Sequence, residues 1–162
     1  MAYLIRPMDD AAARAVITWR YAPPYDVYSF NGQEAVRRFL CAPANDYHAV
    51  YAGEEAQRQL AGFCCFGLDA RVPGGNYAAP ALDVGVGMRP DLTGSGHGHE
   101  FVGAVIAYGA ARHRPLVLRA TIAEFNERSQ RVFSGHGFQP VQRFERITRP
   151  PRDFVVMLRA AD

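Results

Sequence analysis

Long apolar runs are missing from this 162-residue chain. No stretch of about 18 apolar residues occurs, which excludes a membrane-spanning helix. The first residues also lack the basic-then-apolar layout of a secretory signal. Cysteine is scarce: Cys41 stands alone and Cys64 adjoins Cys65, which is neither a disulfide framework nor the paired spacing of a zinc site. A reduced cytoplasm is therefore the expected compartment, with the thiols acting as small buried hydrophobes. The net charge of +2 is too small to argue for nucleic acid. No repeat, low-complexity tract or linker divides the sequence. With 49% hydrophobic residues it can bury a core of ordinary size, and one domain over residues 1–162 is expected.

Local patterns suggest a mixed order of strands and helices. Tyr3-Leu4-Ile5-Arg6 reads as a strand ended by Pro7. Asp9 or Asp10 can cap a helix carrying Ala13, Val16, Ile17 and Trp19. The Ala22-Pro23-Pro24-Tyr25 segment stops it, because proline lacks a backbone donor and restricts its predecessor. A second helix is expected from Gly32 to Leu40, with Ala35, Val36 and Phe39 on one side. Tyr47 to Ala52 and Gln59 to Gly67 read as a hairpin, and Arg71 to Pro80 as an exposed loop.

The most informative stretch runs from Ala81 to Val141. A short strand, Leu82-Asp83-Val84-Gly85-Val86-Gly87-Met88, leads through Arg89-Pro90 into Leu92-Thr93-Gly94-Ser95-Gly96-His97-Gly98 and a helical pattern ending near Arg112. Glycines at a helix entrance let backbone N–H groups approach an anion that the helix dipole also favours, so a phosphate or pyrophosphate is the natural guest. No lysine followed by serine or threonine completes a nucleotide P-loop, and the spacing is not that of a dinucleotide fold. Downstream, the strand Leu116-Val117-Leu118-Arg119-Ala120-Thr121 precedes Asn126-Glu127-Arg128-Ser129-Gln130-Arg131-Val132-Phe133-Ser134-Gly135-His136-Gly137-Phe138. Phe138 to Ile147 and Phe154 to Leu158 close the chain as two further strands.

In this order the two blocks resemble the paired signature motifs of the GNAT N-acetyltransferase superfamily. The resemblance covers most of the chain. It implies an α/β fold with a central, mostly antiparallel twisted sheet of six to seven strands, splayed at the cofactor site and flanked by about four helices. It also implies an acyltransferase that moves an acetyl group from acetyl-coenzyme A to an amine by direct attack on the thioester. Val86, Gly87 and Met88 would then pair with the pantetheine arm, and Thr93, Gly94, Ser95, Gly96, His97, Gly98 and His99 would form the pyrophosphate loop and first helical turn. Asn126 matches the asparagine that holds the pantetheine in the family, although it would serve equally as a helix cap. Glycines 85 and 87 fit either a strand approached by a ligand or close sheet packing.

Two departures from the family pattern stand out. Thr93 replaces the usual glutamine or arginine of the phosphate loop. Phe133 replaces the tyrosine proposed to protonate the departing thiolate, so it is expected to pack beside the thioester without acting as an acid. Asp83 is the first candidate base, with an exposed structural carboxylate as the other reading, and Glu124 is the second candidate base. Trp19, Tyr21, Tyr25 and Tyr28 form an aromatic, proline-interrupted loop suited to an acceptor pocket, or else pinned to the core. Tyr25 and Tyr28 are the candidate substitutes for the missing acid. Histidines 97, 99, 113 and 136 show no metal-ligand spacing, so no metal is expected. Partners are acetyl-coenzyme A and an amine, with neither nucleic acid nor membrane, and a homodimer is compatible with this reading. The other class of function left open is a catalytically silent coenzyme A sensor.

Overall fold

The computed structural model describes residues 2–161. In chain order the elements are β1 (Tyr3–Pro7), α1 (Asp10–Val16), α2 (Glu34–Cys41), β2 (Tyr47–Ala52), β3 (Gln59–Phe66), β4 (Leu82–Met88), α3 (Gly98–His113), β5 (Val117–Ala123), α4 (Glu127–Gly135), β6 (Gln139–Arg146) and β7 (Arg152–Ala160). The strands form a seven-stranded sheet in the order β1-β2-β3-β4-β5-β7-β6. It is mostly antiparallel, with β4 pairing parallel to β5. This is the class and element order expected from the motifs. Two compact units make up the chain: Met1–Cys65 with Val86–His97, and Phe66–Gly85 with Gly98–Asp162.

In the first unit, the Asp9 carboxylate caps α1 by accepting from the Ala12 N–H at 2.8 Å. The helix ends before Trp19 because the Thr18 and Trp19 N–H groups turn back to the Ala15 and Val16 carbonyls, each at 3.1 Å. α2 starts later than expected. Gly32 lies in the preceding turn with φ of 67°, and its N–H donates to the Ile17 carbonyl at 2.8 Å. Its inner face also differs: Leu40 is buried, whereas Phe39 is 43% exposed and Ala35 faces solvent. Strands β1, β2 and β3 form an antiparallel meander. Met8, Ala12, Val16, Ile17, Leu40 and Ala49 form the core, against which Trp19, Phe30 and Phe63 pack.

The second unit is built on β5, whose antiparallel ladder with β7 runs from Val117↔Ala160 to Ala123↔Phe154. Leu116, expected to start this strand, lies outside it and is 90% exposed. α3 buries Phe101, Val102, Val105, Ile106 and Gly109. α4 is capped by Asn126, whose side-chain oxygen accepts from the Ser129 N–H at 3.1 Å. After it, Gly137 takes φ of 87° and donates its N–H to the Ser134 carbonyl at 3.0 Å, satisfying the helix C-terminus.

Gly109 allows the sign of one substitution to be worked out. A Cβ there would lie 2.4 Å from the Phe66 ring, which is 3% exposed and is flanked by Tyr108 and His113. Alanine adds about 1 kcal/mol of helix propensity, but overpacking costs about 1–3 kcal/mol. Gly109→Ala is therefore expected to lower stability by about 1 kcal/mol in urea unfolding. A gain in the unfolding midpoint would contradict this packing.

Candidate functional site

Asp83, the first candidate base, lies at the start of β4, where that strand pairs in parallel with β5 through Leu82↔Leu118 and Asp83↔Arg119. Both carboxylate oxygens are occupied. Arg119 donates from Nε to Oδ1 at 2.6 Å and from Nη2 to Oδ2 at 2.8 Å, and Arg71 donates from Nε to Oδ2 at 2.8 Å. Asp83 and Arg119 are each 2% exposed. The adjacent carboxylate holds the Arg119 guanidinium even more firmly protonated than usual. This corrects the expectation of an exposed carboxylate: Asp83 is buried, and three of its hydrogen-bonding positions are taken by two guanidiniums.

The same network moors the loop after β3, which had been expected to be simply exposed. Arg119 and Arg71 lie over the Tyr77 ring at 4.9 and 5.3 Å. Arg119 also donates to the Ala79 carbonyl at 2.8 Å. The Tyr77 hydroxyl accepts from the Val72 N–H at 2.9 Å and shares a hydrogen bond with the Thr121 hydroxyl at 3.0 Å. Glu124, the second candidate base, is ion-paired with Arg143 and 43% exposed, which makes it a surface charge.

At the other end of β4, in the first unit, Gly87 has a packing reason for lacking a side chain. A Cβ would sit 2.3 Å from the Phe63 ring. Close packing therefore accounts for this glycine without a ligand. Phe63 in turn faces Trp19 at 6.3 Å and Phe30 at 5.9 Å, so Trp19 belongs to this aromatic cluster more than to a pocket wall. Tyr21 donates its hydroxyl to the Met88 carbonyl at 2.6 Å. Burial pushes the Tyr21 phenol far above the usual tyrosine range, so it remains a donor. Its ring meets Tyr28 edge-on at 6.5 Å, and Tyr25 and Tyr28 bound a 3-10 turn. The Tyr21 contact was not legible in the sequence, since nothing local marks a partner so far along the chain.

β4 then runs into the glycine loop. The Arg89 N–H donates to the Ala61 carbonyl at 2.8 Å, and a 3-10 turn spans Pro90–Leu92. The Thr93 hydroxyl closes that turn on the Pro90 carbonyl at 2.7 Å. Thr93 thus makes a local bond where a longer side chain was missed. Gly94 and Gly96 take φ of 71° and 84°, and a Cβ at Gly96 would meet nothing within 4 Å. Ser95, Gly94 and Gly96 are exposed, and α3 begins at Gly98. Gly94 and Gly96 thus hold left-handed, side-chain-free backbone a few residues before α3 begins.

In the second unit, Asn126 acts as the α4 cap, and the Gln130 amide donates to the Glu124 carbonyl at 2.8 Å, tying the helix to the end of β5. Phe133 is 2% exposed, with its ring perpendicular to Phe138 at 5.0 Å. It packs in the core, which agrees with a residue that has no proton to give. His99 stacks on His136 at 3.9 Å, and His136 Nε2 bonds the His99 carbonyl at 2.7 Å. Among the described residues, no group of three or more histidine, cysteine or acidic side chains is placed to hold a metal ion. Also among them, no helix is long and apolar enough to cross a membrane.

Comparison with known proteins bears on the family and the fold. The model of the acetyltransferase (GNAT) domain matches residues 3–139. No match was found among curated proteins. Among solved structures, a spermidine N-acetyltransferase SpeG chimera from Vibrio cholerae and hSSAT is similar at TM-score 0.68 and 16% identity, covering 98% of this chain and 96% of the other. A GNAT-family acetyltransferase from Bacillus anthracis gives 0.69 and 17% identity over 99% and 96% of the two chains. The structure of yncA from Salmonella typhimurium with its cofactor acetyl-CoA gives 0.63 and 17% identity over 100% and 95%. At these identities the structural likeness concerns the fold.

The buried pair at the start of β4 generates a stability test. Asp83→Asn leaves the Arg119 guanidinium buried without its counter-charge and is expected to cost about 3–5 kcal/mol in chemical denaturation. Replacing both partners, Asp83→Asn with Arg119→Met, is expected to recover much of that loss. Additive losses in the double variant would show that the two charges do not act as a pair.

Proposed function

The chain belongs to the GNAT acetyltransferase family, and on that premise we propose that it transfers the acetyl group of acetyl-coenzyme A to a primary amine of a small molecule, peptide or protein. The observation that carries the reading is the run from β4 through left-handed Gly94 and Gly96 into the first turn of α3. The backbone amides of Gly94 to His99 would hold the pyrophosphate, and the end of β4, Val86 to Met88, would meet the amide-rich arm. Asn126 stands in the family position for the arm while capping α4. The entire chain, 1–162, would act as one acetyltransferase domain.

In the reaction, the amine nitrogen attacks the thioester carbonyl carbon. A C–N bond forms, the C–S bond breaks, the nitrogen loses a proton and the departing thiolate gains one. Positioning and backbone donors can supply much of the acceleration. Because both Asp83 oxygens are engaged, we assign proton acceptance to solvent and give Asp83 a structural role. Tyr25 and Tyr28 are the hydroxyls proposed to serve the thiolate. Spermidine, named for the Vibrio cholerae neighbour, is a reasonable first acceptor in a panel that also contains lysine peptides and peptides with free α-amines. The chain itself contains no lysine, so any acetyl-lysine formed must lie on the added acceptor.

Thiol release and product mass measured together test the function. Acetylated amine with matching thiol supports it. Thiol release without acetylated amine indicates a hydrolase, and binding of coenzyme A without turnover across the panel indicates the silent sensor.

Two outcomes test the assigned parts. Gly96→Val forces a β-branched residue into the left-handed region and is expected to weaken coenzyme A binding at least about tenfold by calorimetry. Thr93→Ala should remain near the parent affinity, and an unchanged affinity in Gly96→Val would remove the loop from the cofactor site. For proton transfer, the rate should rise with pH toward the acceptor's own pKa, about 10.4 for a lysine-type amine or about 8 for an α-amine. Asp83→Asn, assayed below its melting transition, should keep that profile. Loss of a limb of the profile in this variant would restore Asp83 as the base.

A further inference from the structure

The end of β4 is held by one hydroxyl from the aromatic loop and by a β3 ring on which that loop packs. Tyr21 donates to the Met88 carbonyl at 2.6 Å. The neighbouring residue, Gly87, is covered by the Phe63 ring, against which Trp19 and Phe30, from the two ends of the loop, also pack. The loop is closed on itself: the Tyr21 N–H donates to the Ser29 hydroxyl at 3.1 Å, Arg20 bonds Asn31, and the Gly32 N–H returns to the Ile17 carbonyl at 2.8 Å. Tyr21 also carries Tyr28 edge-on. Any shift of the 87–88 backbone is therefore passed to the loop through one hydroxyl and one ring.

We infer that Tyr21 is a positioning residue that couples coenzyme A on the end of β4 to the conformation of the aromatic loop. The coupling rests on the proposed acetyl-coenzyme A reading and extends it, because it makes the acceptor side of the reaction respond to cofactor occupancy. A carbonyl has two lone pairs, so Met88 can keep the tyrosine bond while its strand meets a ligand. The burial that keeps the Tyr21 phenol protonated keeps this link intact across the working pH range. Ring packing alone, without the hydroxyl, would hold the loop in place but would not fix it to the carbonyl.

Trp19 provides the readout, since it is the chain's single tryptophan and sits two positions before Tyr21. Coenzyme A is titrated into the parent, Tyr21→Phe and Ser29→Ala, with calorimetric affinity and Trp19 emission both recorded and folding checked by thermal melting. In the parent, emission is expected to change and saturate with the calorimetric binding curve. Tyr21→Phe is expected to bind coenzyme A within about fivefold of the parent, the effect of one neutral hydrogen bond, yet to lose most of the emission change. Ser29→Ala, which loosens the loop internally but leaves the Met88 bond, is expected to keep it. With an acceptor identified, Tyr21→Phe should raise the acceptor KM while leaving kcat and the acetyl-coenzyme A KM near parent values. A full emission change in Tyr21→Phe would overturn the inference, as would a silent Trp19 in a parent that binds coenzyme A. A parent that binds no coenzyme A would overturn the cofactor reading and, with it, this one.

Discussion

A carboxylate and a guanidinium, both withdrawn from water, meet where β4 pairs in parallel with β5. Burying Asp83 and Arg119 is tolerable because the charges are paired and hydrogen-bonded, with two parallel N–H···O contacts and a third to the carboxylate from Arg71. The pair fixes the register of the two strands at Asp83↔Arg119. It also recruits the Tyr77 ring and the Ala79 carbonyl, so the long connection into β4 is held over the strands. β4 therefore begins from a fixed point.

Much of the fold was legible because its signals are local. Asp9 and Asn126 are cap residues that form the expected side-chain bonds. Gly94, Gly96 and Gly137 stand where the backbone takes positive φ. The hairpin of β2 and β3 follows the apolar runs of the sequence closely. The overall order, however, came from the pairing of two motifs, because periodicity alone pointed no further than a mixed sheet with helices.

Two positions take their meaning from a residue far away in the sequence. Asp83 looked like a free carboxylate because its partner Arg119 is 36 positions downstream. Gly87 fitted two readings in the sequence because the ring of Phe63 that lies over it comes from another strand. Phe133 occupies a motif position associated with the cofactor, yet the amphipathic face of α4 turns it inward against Phe138. On α2, Val36 packs against the core as expected, while Leu40, one turn further on, is buried and Phe39 is exposed. The backbone of the candidate cofactor loop was easier to read, since glycine advertises positive φ directly.

The central claim, a proposal, is that backbone amides around the glycine loop bind acetyl-coenzyme A. Amide hydrogen exchange followed by mass spectrometry, with and without acetyl-coenzyme A, addresses it without an identified acceptor or any substitution. The account expects exchange to slow at residues 94–99 and at the end of β4, while the amides around the Asp83–Arg119 pair, already protected, change little. Unchanged exchange through residues 94–99 at saturating acetyl-coenzyme A would contradict it.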